Sequence, residues 1–194
     1  MLYFIRHGET EKNHANLMQG RSDIPLNETG LRQAKELGQW LRQKGIRFDA
    51  VYSSPLGRAI ETARLTAGEE VPIILDQRLI EMDYGPYEGM DLLHPAPEVL
   101  AFFRDFAGTP APEGMEQLDA VVARLASFLE EHRREAAEKT LLVSTHAIAM
   151  KGALEYLTPG SNGAYWSRHL ANCALYRTEL TETGYSVPVQ IIPD

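Results

Sequence analysis

The sequence predicts an α/β fold, a three-layer sandwich in which a mainly parallel central sheet is flanked by helices. Short apolar runs at 2–5, 50–52, 73–75 and 141–143 are predicted strands, and the first and last lack the polar alternation of a strand with one solvated face. Segments with helical periodicity separate these runs. Because strands that alternate with helices pair in parallel and are covered on both faces, this order of elements predicts the sandwich.

Three helices are predicted from apolar spacing. Apolar residues from Leu31 to Leu41 share one face of a helix, and Asn27 precedes them as the predicted N-cap. Residues 118–129 follow the i, i+3, i+4, i+7 pattern closely, and residues 149–157 repeat it. Pro159-Gly160 is predicted to end the last of these helices.

The chain is expected to form a single domain over residues 1–194, because no repeat, low-complexity tract or linker interrupts it. The tail at 171–192 is predicted to be two final strands joined by a turn at Thr183-Gly184.

Composition narrows the class of protein. The formal net charge of −8 argues against a general nucleic-acid or anionic-membrane surface, since both need exposed positive charge. No apolar run approaches the ~20 residues of a membrane span, and a cytoplasmic location is expected. The single cysteine, Cys173, excludes an intramolecular disulfide and leaves no thiolate cluster for zinc.

Basic side chains follow three of the predicted strands directly. Arg6 and His7 end the first, Arg58 follows the second, and His146 follows the strand at 141–143. Ser54 and Pro55 are predicted to cap and begin the helix that carries Arg58. Because ligands of open α/β sheets bind beyond the carboxyl ends of the strands, we expect these side chains to meet at one rim.

The residue types at this rim indicate phosphoryl chemistry. Arginine presents a planar fork that matches phosphate oxygens and stays charged at any working pH. Histidine is a poor permanent cation but a good nucleophile or proton carrier. Two histidines in an arginine-rich pocket therefore predict catalysis as well as anion binding.

Three motifs include these residues: R-H-G-E-T at 6–10, S-S-P-L-x-R-A-x-x-T-A at 53–63 and S-T-H at 144–146. They resemble the motifs of the histidine phosphatase superfamily, in its phosphoglycerate-mutase-like branch. Further matches follow in the family's order along nearly the whole chain: Asn13, Gln19-Gly20, Asp23 to Leu26, Gly30, Leu79 to Glu81, Gly85, Glu88-Gly89, Glu116, Arg124 and Asn172-Cys173.

The resemblance implies that His7 is phosphorylated and that water then hydrolyses the phosphohistidine. It implies that Arg6, Arg58 and His146 bind the phosphoryl oxygens. Glu81 occupies the place of the general acid, although Asp83, Glu88 and Glu116 remain alternatives. Secondary substrate contacts are expected from the following residues: Asn13, Gln19, Gly20 and Ala147. The segment at about 82–115 is expected to cap the site with short helices and loops. No metal or other cofactor is expected.

Departures from the family's pattern favour a small phosphatase. Ala147 stands where phytase-like relatives carry an aspartate proton donor, and 194 residues leave little room for the extra segments of the cofactor-dependent mutases. The expected activity is hydrolysis of a small phosphorylated metabolite. Phosphoglycerate mutase activity and non-catalytic binding of a phosphorylated ligand are the alternatives. Sugar phosphates, phosphoglycerates, nucleoside phosphates and ribazole phosphate remain open as substrates, and a homodimer through the terminal strands remains open.

Overall fold

The computed structural model describes all residues 1–194. Its strands are β1 (Leu2–Arg6), β2 (Ala50–Ser53), β3 (Ile73–Leu75), β4 (Leu141–Thr145), β5 (Leu175–Thr178), β6 (Leu180–Thr181), β7 (Gly184–Tyr185) and β8 (Val189–Ile191). Its helices are α1 (Glu11–His14), α2 (Glu28–Gln43), α3 (Gly57–Ala67), α4 (Pro97–Arg104), α5 (Leu118–Glu131), α6 (Arg133–Glu138) and α7 (Ala147–Leu157). Short 3₁₀ turns lie at Gln77–Leu79 and Gly85–Tyr87.

The central sheet has six strands in the order β3-β2-β4-β1-β5-β8. The pairs β3-β2, β2-β4 and β4-β1 are parallel, whereas β5 and β8 are antiparallel to their neighbours. The prediction of a mainly parallel sheet is confirmed. Helices connect the parallel strands, as crossover connections between parallel strands require.

Strand register brings the candidate residues together. Arg6 at the end of β1 pairs with Thr145 at the end of β4, and Ser53 of β2 pairs with Ser144. The residues that follow these strand ends therefore emerge side by side at the carboxyl edge of the sheet. This edge is where an open α/β sheet places its ligand.

Alternate residues of the strands belong to two separate cores, as the period of two in a strand requires. On one face Tyr3, Ile5 and Val51 pack with apolar residues of α2 and α3. On the other face Phe4 and Tyr52 belong to a larger core with residues of α4, α5 and α7. The three-layer arrangement follows from these two cores.

The predicted helices are present, and Asn27 accepts the Gly30 N–H at 2.9 Å as the N-cap of α2. The predicted cap of α3 is wrong. That helix begins at Gly57, whose N–H donates to Asp23 at 2.8 Å, while the Ser54 hydroxyl contacts His146 instead. Asp23, which belongs to a distant segment, therefore accepts a hydrogen bond from the first turn of α3, as Ser54 was predicted to do.

The prediction for the tail is correct in its pairing and wrong in its connection. Strands β5 and β8 are antiparallel neighbours in the main sheet. Between them the chain forms a separate hairpin of β6 and β7, so the turn at Thr183, directly before Gly184 of β7, joins these two short strands and does not join β5 to β8 directly. No helix in the structure is both long enough and apolar enough to cross a membrane.

Candidate active site

His7 follows β1 and is held in one orientation by the next residue. Its Nδ1 lies 2.7 Å from the carbonyl oxygen of Gly8, and the side chain is almost fully buried. Since a carbonyl can only accept, Nδ1 carries the proton and Nε2 keeps its lone pair. Burial, together with the charges of Arg6 and Arg58, sets the pKa of His7 well below its ordinary value. The imidazole is therefore neutral and nucleophilic at Nε2.

Gly8 allows a close approach of two segments behind this histidine. A Cβ at Gly8 would lie 2.6 Å from the carbonyl oxygen of Gly30 in α2. The absence of a side chain at Gly8 is therefore a packing requirement. The Gly8 N–H donates to Thr62 Oγ1 at 3.0 Å, which ties the loop after β1 to α3.

His146 immediately precedes α7 and faces His7 across the site. The two imidazole ring centres are 5.1 Å apart. His146 is fully buried, its Nε2 lies 2.7 Å from Ser54 Oγ, and its Nδ1 has no hydrogen-bond partner. Burial, followed by the charge of Arg58, lowers the pKa of His146 well below its ordinary value.

The two arginines are fixed by backbone carbonyls rather than by carboxylates. Arg58 donates to the carbonyl oxygens of Ser22 at 2.7 Å and Gly20 at 2.6 Å. Arg6 donates to the carbonyl oxygen of Leu170. Because a neutral carbonyl does not cancel a guanidinium charge, both positive charges remain available to an anionic ligand.

The side chain of Glu81 lies against the N-terminal end of α7, and both of its carboxylate oxygens accept hydrogen bonds. Oε1 accepts from the backbone N–H groups of Met82 at 2.9 Å and Ala149 at 3.0 Å, and Oε2 accepts from Ile148 at 3.2 Å. A helix N-terminus is a natural location for such a group, since its first N–H groups have no partner within the helix.

The other carboxylates weighed as general acid are each paired with a base. Asp83 contacts Arg21 at 3.0 Å, Glu88 contacts Lys12 at 2.9 Å and Glu116 contacts Arg124 at 2.8 Å. Glu81 has no such ion pair and is almost completely buried beside the charges of Arg6 and Arg58. The geometry therefore favours Glu81 over the three alternatives.

Unpaired hydrogen-bonding atoms concentrate in the residues predicted to form the site. Five buried side-chain nitrogen or oxygen atoms in the chain have no partner, and four belong to predicted site residues: Arg6 Nε, Arg58 Nε, His146 Nδ1 and Gln19 Nε2. Buried polar atoms are nearly always satisfied in folded proteins, so this set requires an explanation. A bound anion with several acceptor oxygens would provide the missing partners.

The secondary residues divide into two groups. Gln19 is buried with its Oε1 taken by Thr10, and Asn13 Oδ1 accepts from Thr10 and Asn172, so each retains an amide NH₂ group. Gly20 has its N–H on Glu88 and its carbonyl on Arg58, which makes it a support for the arginine rather than a free donor.

Ala147 is the first residue of α7, directly after His146, and is half-buried. Glu81 accepts from the two N–H groups that follow it, those of Ile148 and Ala149. Ala147 therefore lies at the predicted site, next to His146.

The sequence matched Arg124 to the family without giving it a role, and considered Glu116 only as an alternative general acid. Arg124 donates to the carbonyl oxygens of Arg78 and Ile80, both at 2.6 Å, and pairs with Glu116. Glu116 in turn accepts the Asp83 N–H at 3.1 Å. The pair thus holds the chain on both sides of Glu81. The match of Glu116 and Arg124 to the family's pattern was the signal in the sequence that could have indicated this structural role.

Comparisons with known proteins identify the family of this chain. A family model described as the histidine phosphatase superfamily (branch 1) matches residues 2–190. The chain belongs to the histidine phosphatase superfamily. A broad-specificity phosphatase of Saccharomyces cerevisiae is 35% identical to this histidine phosphatase over 195 residues, covering 95% of this chain and 79% of the yeast protein.

Other relatives of this histidine phosphatase carry different names. A probable phosphoglycerate mutase of Yersinia pestis is 34% identical over 190 residues, with 95% of this chain and 86% of that protein covered. The crystal structure of a phosphoserine phosphatase from Entamoeba histolytica, in complex with 3-phosphoglyceric acid, superposes with a TM-score of 0.82 at 28% identity. That match covers 98% of this chain and 94% of the other.

Proposed function

We propose that this histidine phosphatase hydrolyses small organic phosphomonoesters, with His7 as the nucleophile. The observation that carries the proposal is the combination of a neutral His7 with a free Nε2 and four unpartnered buried nitrogens in the surrounding site residues. His7 Nε2 would attack phosphorus, and the unpartnered nitrogens would donate hydrogen bonds to the phosphoryl oxygens. Such positioning and electrostatic stabilisation account for most of the catalysis in phosphoryl transfer.

The reaction proceeds in two balanced steps. His7 Nε2 forms a bond to phosphorus as the bond from phosphorus to the ester oxygen breaks, and Glu81 gives its proton to the departing alkoxide. Water then attacks phosphorus, Glu81 takes a proton from that water, and the bond between phosphorus and Nε2 breaks to release phosphate. Oε2 of Glu81 accepts only one hydrogen bond, the longest of the three, and is the oxygen best able to carry the proton.

Lys151 supports a preference for substrates that carry a second anionic group. It lies one turn after Ala147 in α7, is half-buried, donates to the Trp166 carbonyl at 2.7 Å and lies 5.7 Å from the Phe106 ring centre. No carboxylate pairs with it. The phosphoserine and 3-phosphoglycerate in the name of the Entamoeba structure are phosphate esters with a carboxylate, so these compounds are the first candidates to assay.

The experiment that tests the proposal is a rapid-quench measurement on wild type and His7→Ala with a panel of radiolabelled phosphomonoesters. The expected result is label on His7 of the wild type at early times and none on the variant, with hydrolysis reduced at least ~10³-fold. Product formation without label on His7 would overturn the proposal. Vanadate should inhibit the wild type, and chelators should leave its activity intact.

Phosphoglycerate mutase activity is the second candidate, because a mutase-named relative is 34% identical to this chain. A mutase must retain its phosphoenzyme and be primed by a bisphosphorylated compound. Isomerisation of 3-phosphoglycerate that depends on added 2,3-bisphosphoglycerate would favour this candidate. Release of free phosphate without isomerisation would favour hydrolysis.

A further inference from the structure

The two histidines of the site use their ring nitrogens in opposite ways. His7 has Nδ1 on the Gly8 carbonyl and leaves Nε2 free. His146 has Nε2 on the Ser54 hydroxyl and leaves Nδ1 free. A carbonyl fixes the tautomer of His7 without ambiguity, whereas a hydroxyl can donate or accept. The tautomer of His146 therefore depends on what the Ser54 hydroxyl does.

Hydrogen-bond accounting at Ser54 decides this question. Its Oγ accepts the Leu56 N–H at 3.3 Å, and its only other partner is His146 Nε2 at 2.7 Å. Ser54 is fully buried, so water cannot substitute for a missing protein partner. If Nε2 carried the imidazole proton, the hydroxyl hydrogen would have no acceptor. If the hydroxyl donates to Nε2, every polar atom in this arrangement except Nδ1 is satisfied.

We propose that Ser54 is a positioning residue that holds His146 in the tautomer protonated at Nδ1, so that a neutral imidazole presents an N–H to the transferring phosphoryl group. The catalytic part of this inference rests on the proposed function. The tautomer itself is a property of the resting protein and can be measured without any substrate.

The position of the His146 proton matters because the electrostatics of the site keep this imidazole neutral. Burial and the nearby Arg58 lower the pKa of His146, so the ring is neutral and has only one N–H. In the opposite tautomer Nδ1 would present a lone pair toward phosphoryl oxygens, which are themselves acceptors. A doubly protonated ring would present an N–H at Nδ1 without any help from Ser54, but burial and the charge of Arg58 disfavour that protonation state.

The direct test is two-bond ¹⁵N–¹H correlation spectroscopy of histidine-labelled protein, with the His146 signals assigned by their loss in His146→Gln. In the wild type, Nδ1 should show the shift of a protonated nitrogen and Nε2 that of an unprotonated one. The reverse pattern, or two protonated nitrogens at neutral pH, would overturn the inference. Because this measurement needs only wild type and an assignment variant, it remains decisive even if substitutions at Ser54 impair folding.

Variants at Ser54 test the consequence for catalysis. Ser54→Ala should mix the two tautomers and lower kcat about 10-fold to 100-fold, the range expected for weakening one phosphoryl hydrogen bond. Ser54→Thr keeps the hydroxyl and should recover most of that loss. Ser53→Ala is the matched control, because Ser53 is an equally buried neighbour whose hydroxyl donates to the Ser54 carbonyl at 2.8 Å and touches no histidine.

The outcomes separate this inference from the proposed function. Equal losses in Ser54→Ala and Ser53→Ala, or no recovery in Ser54→Thr, would overturn the role of Ser54 in catalysis. Failure to detect phosphohistidine in the wild type would instead overturn the proposed function. In that case the spectra would still report whether Ser54 fixes the His146 tautomer.

Discussion

Oε1 of Glu81 accepts a hydrogen bond from the Ala149 N–H at 3.0 Å, so the predicted general acid is fixed to the first turn of the helix that follows His146. One helix terminus thus positions two groups that are predicted to have different roles. Any displacement of α7 would move the predicted phosphate-binding histidine and the predicted proton donor together.

Replacement of Glu81 by Gln should affect substrates according to their leaving groups. Alkyl phosphates need a proton on the departing oxygen, so kcat/KM should fall by ~10²–10⁴-fold for them. p-Nitrophenyl phosphate has a stable leaving anion and should lose much less in its first step. The measurement is the steady-state rate on both substrates, together with burst kinetics on p-nitrophenyl phosphate. Asp83→Asn serves as the control, and an equal loss on both substrates in Glu81→Gln would contradict the assignment.

The Arg124–Glu116 pair should matter for stability as well as activity. Arg124→Met leaves two carbonyl oxygens without their donor and leaves the largely buried Glu116 with only the longer ion pair to Arg21 at 3.4 Å, and should lower the free energy of unfolding by about 3 kcal/mol. Because the loop that carries Glu81 loses its anchor, kcat should fall more on alkyl phosphates than on p-nitrophenyl phosphate. Urea denaturation and the same substrate pair provide the measurements.

Arg133→Met is the matched control for this prediction. Arg133 pairs with Glu130 at 3.3 Å on the surface, with both side chains about half exposed, and its loss should cost no more than ~1 kcal/mol. Similar effects of the two variants would show that the buried pair has no special role.

The resting protein should lose stability on mild acidification. His7 and His146 have lowered pKa values in the folded state, so between pH 6.5 and their folded pKa values the unfolded chain binds more protons than the folded one. Stability then rises with pH across this window and falls as the pH drops. Each histidine contributes a slope of up to ~1.4 kcal/mol per pH unit, approached as the unfolded imidazole becomes fully protonated below pH 6.5.

Urea denaturation at pH 6.5, 6.0 and 5.5 measures this slope. His146→Gln should remove about half of it, since one of the two buried imidazoles is gone. His169→Gln is the matched control, because it removes a histidine that is exposed in the folded protein. A wild-type slope no steeper than that of His146→Gln would refute the prediction.

Lys151 should make the KM for carboxylate-bearing substrates pH-dependent. Burial lowers the pKa of Lys151 to about 8, with the charge of Glu81 opposing and that of Arg6 reinforcing the effect. The ammonium is therefore lost as the pH rises through about 8, and the KM for phosphoserine should increase there. Phosphoethanolamine, which lacks the carboxylate, should not show this increase.

Lys151→Met should raise the KM for phosphoserine about 10-fold, consistent with loss of one charge-assisted contact, and should remove its dependence on pH near 8. Lys35→Met, at an exposed lysine of α2, is the matched control. If Lys151→Met lowers activity on both substrates equally, the lysine anchors the Trp166 segment and does not select the substrate.

The fold and the main site were accessible from sequence because they depend on local patterns. Apolar periodicity predicts the strands and helices, and parallel strand ends necessarily bring His7 and His146 to one edge. The contact between Ser54 and His146 joins residues 92 positions apart, and no local pattern reports it. Serine is a common N-cap residue, which is why the sequence predicted Ser54 to cap α3. In the structure its hydroxyl contacts His146 instead, and the helix begins at Gly57.

The path of the tail also lay beyond local patterns. Alternation predicts strands near 171–192, and the pairing of β5 with β8 agrees with that prediction. The hairpin of β6 and β7 depends on contacts with distant elements, including the Tyr185 hydroxyl that donates to the Leu129 carbonyl at 3.0 Å. The anchoring of Glu81 by Arg124 is a similar long-range effect.

The bond from Arg6 to the Leu170 carbonyl has a consequence for protein synthesis. Arg6, beside the predicted nucleophile, is translated 164 residues before its anchor, and that anchor is followed by Asn172, whose amide donates to the His7 carbonyl at 3.1 Å. A nascent chain that has not yet released this segment from the ribosome cannot complete the arginine's surroundings. Stalled chains that expose residues up to about 160 should therefore be catalytically silent, and activity should begin only once β5 has emerged.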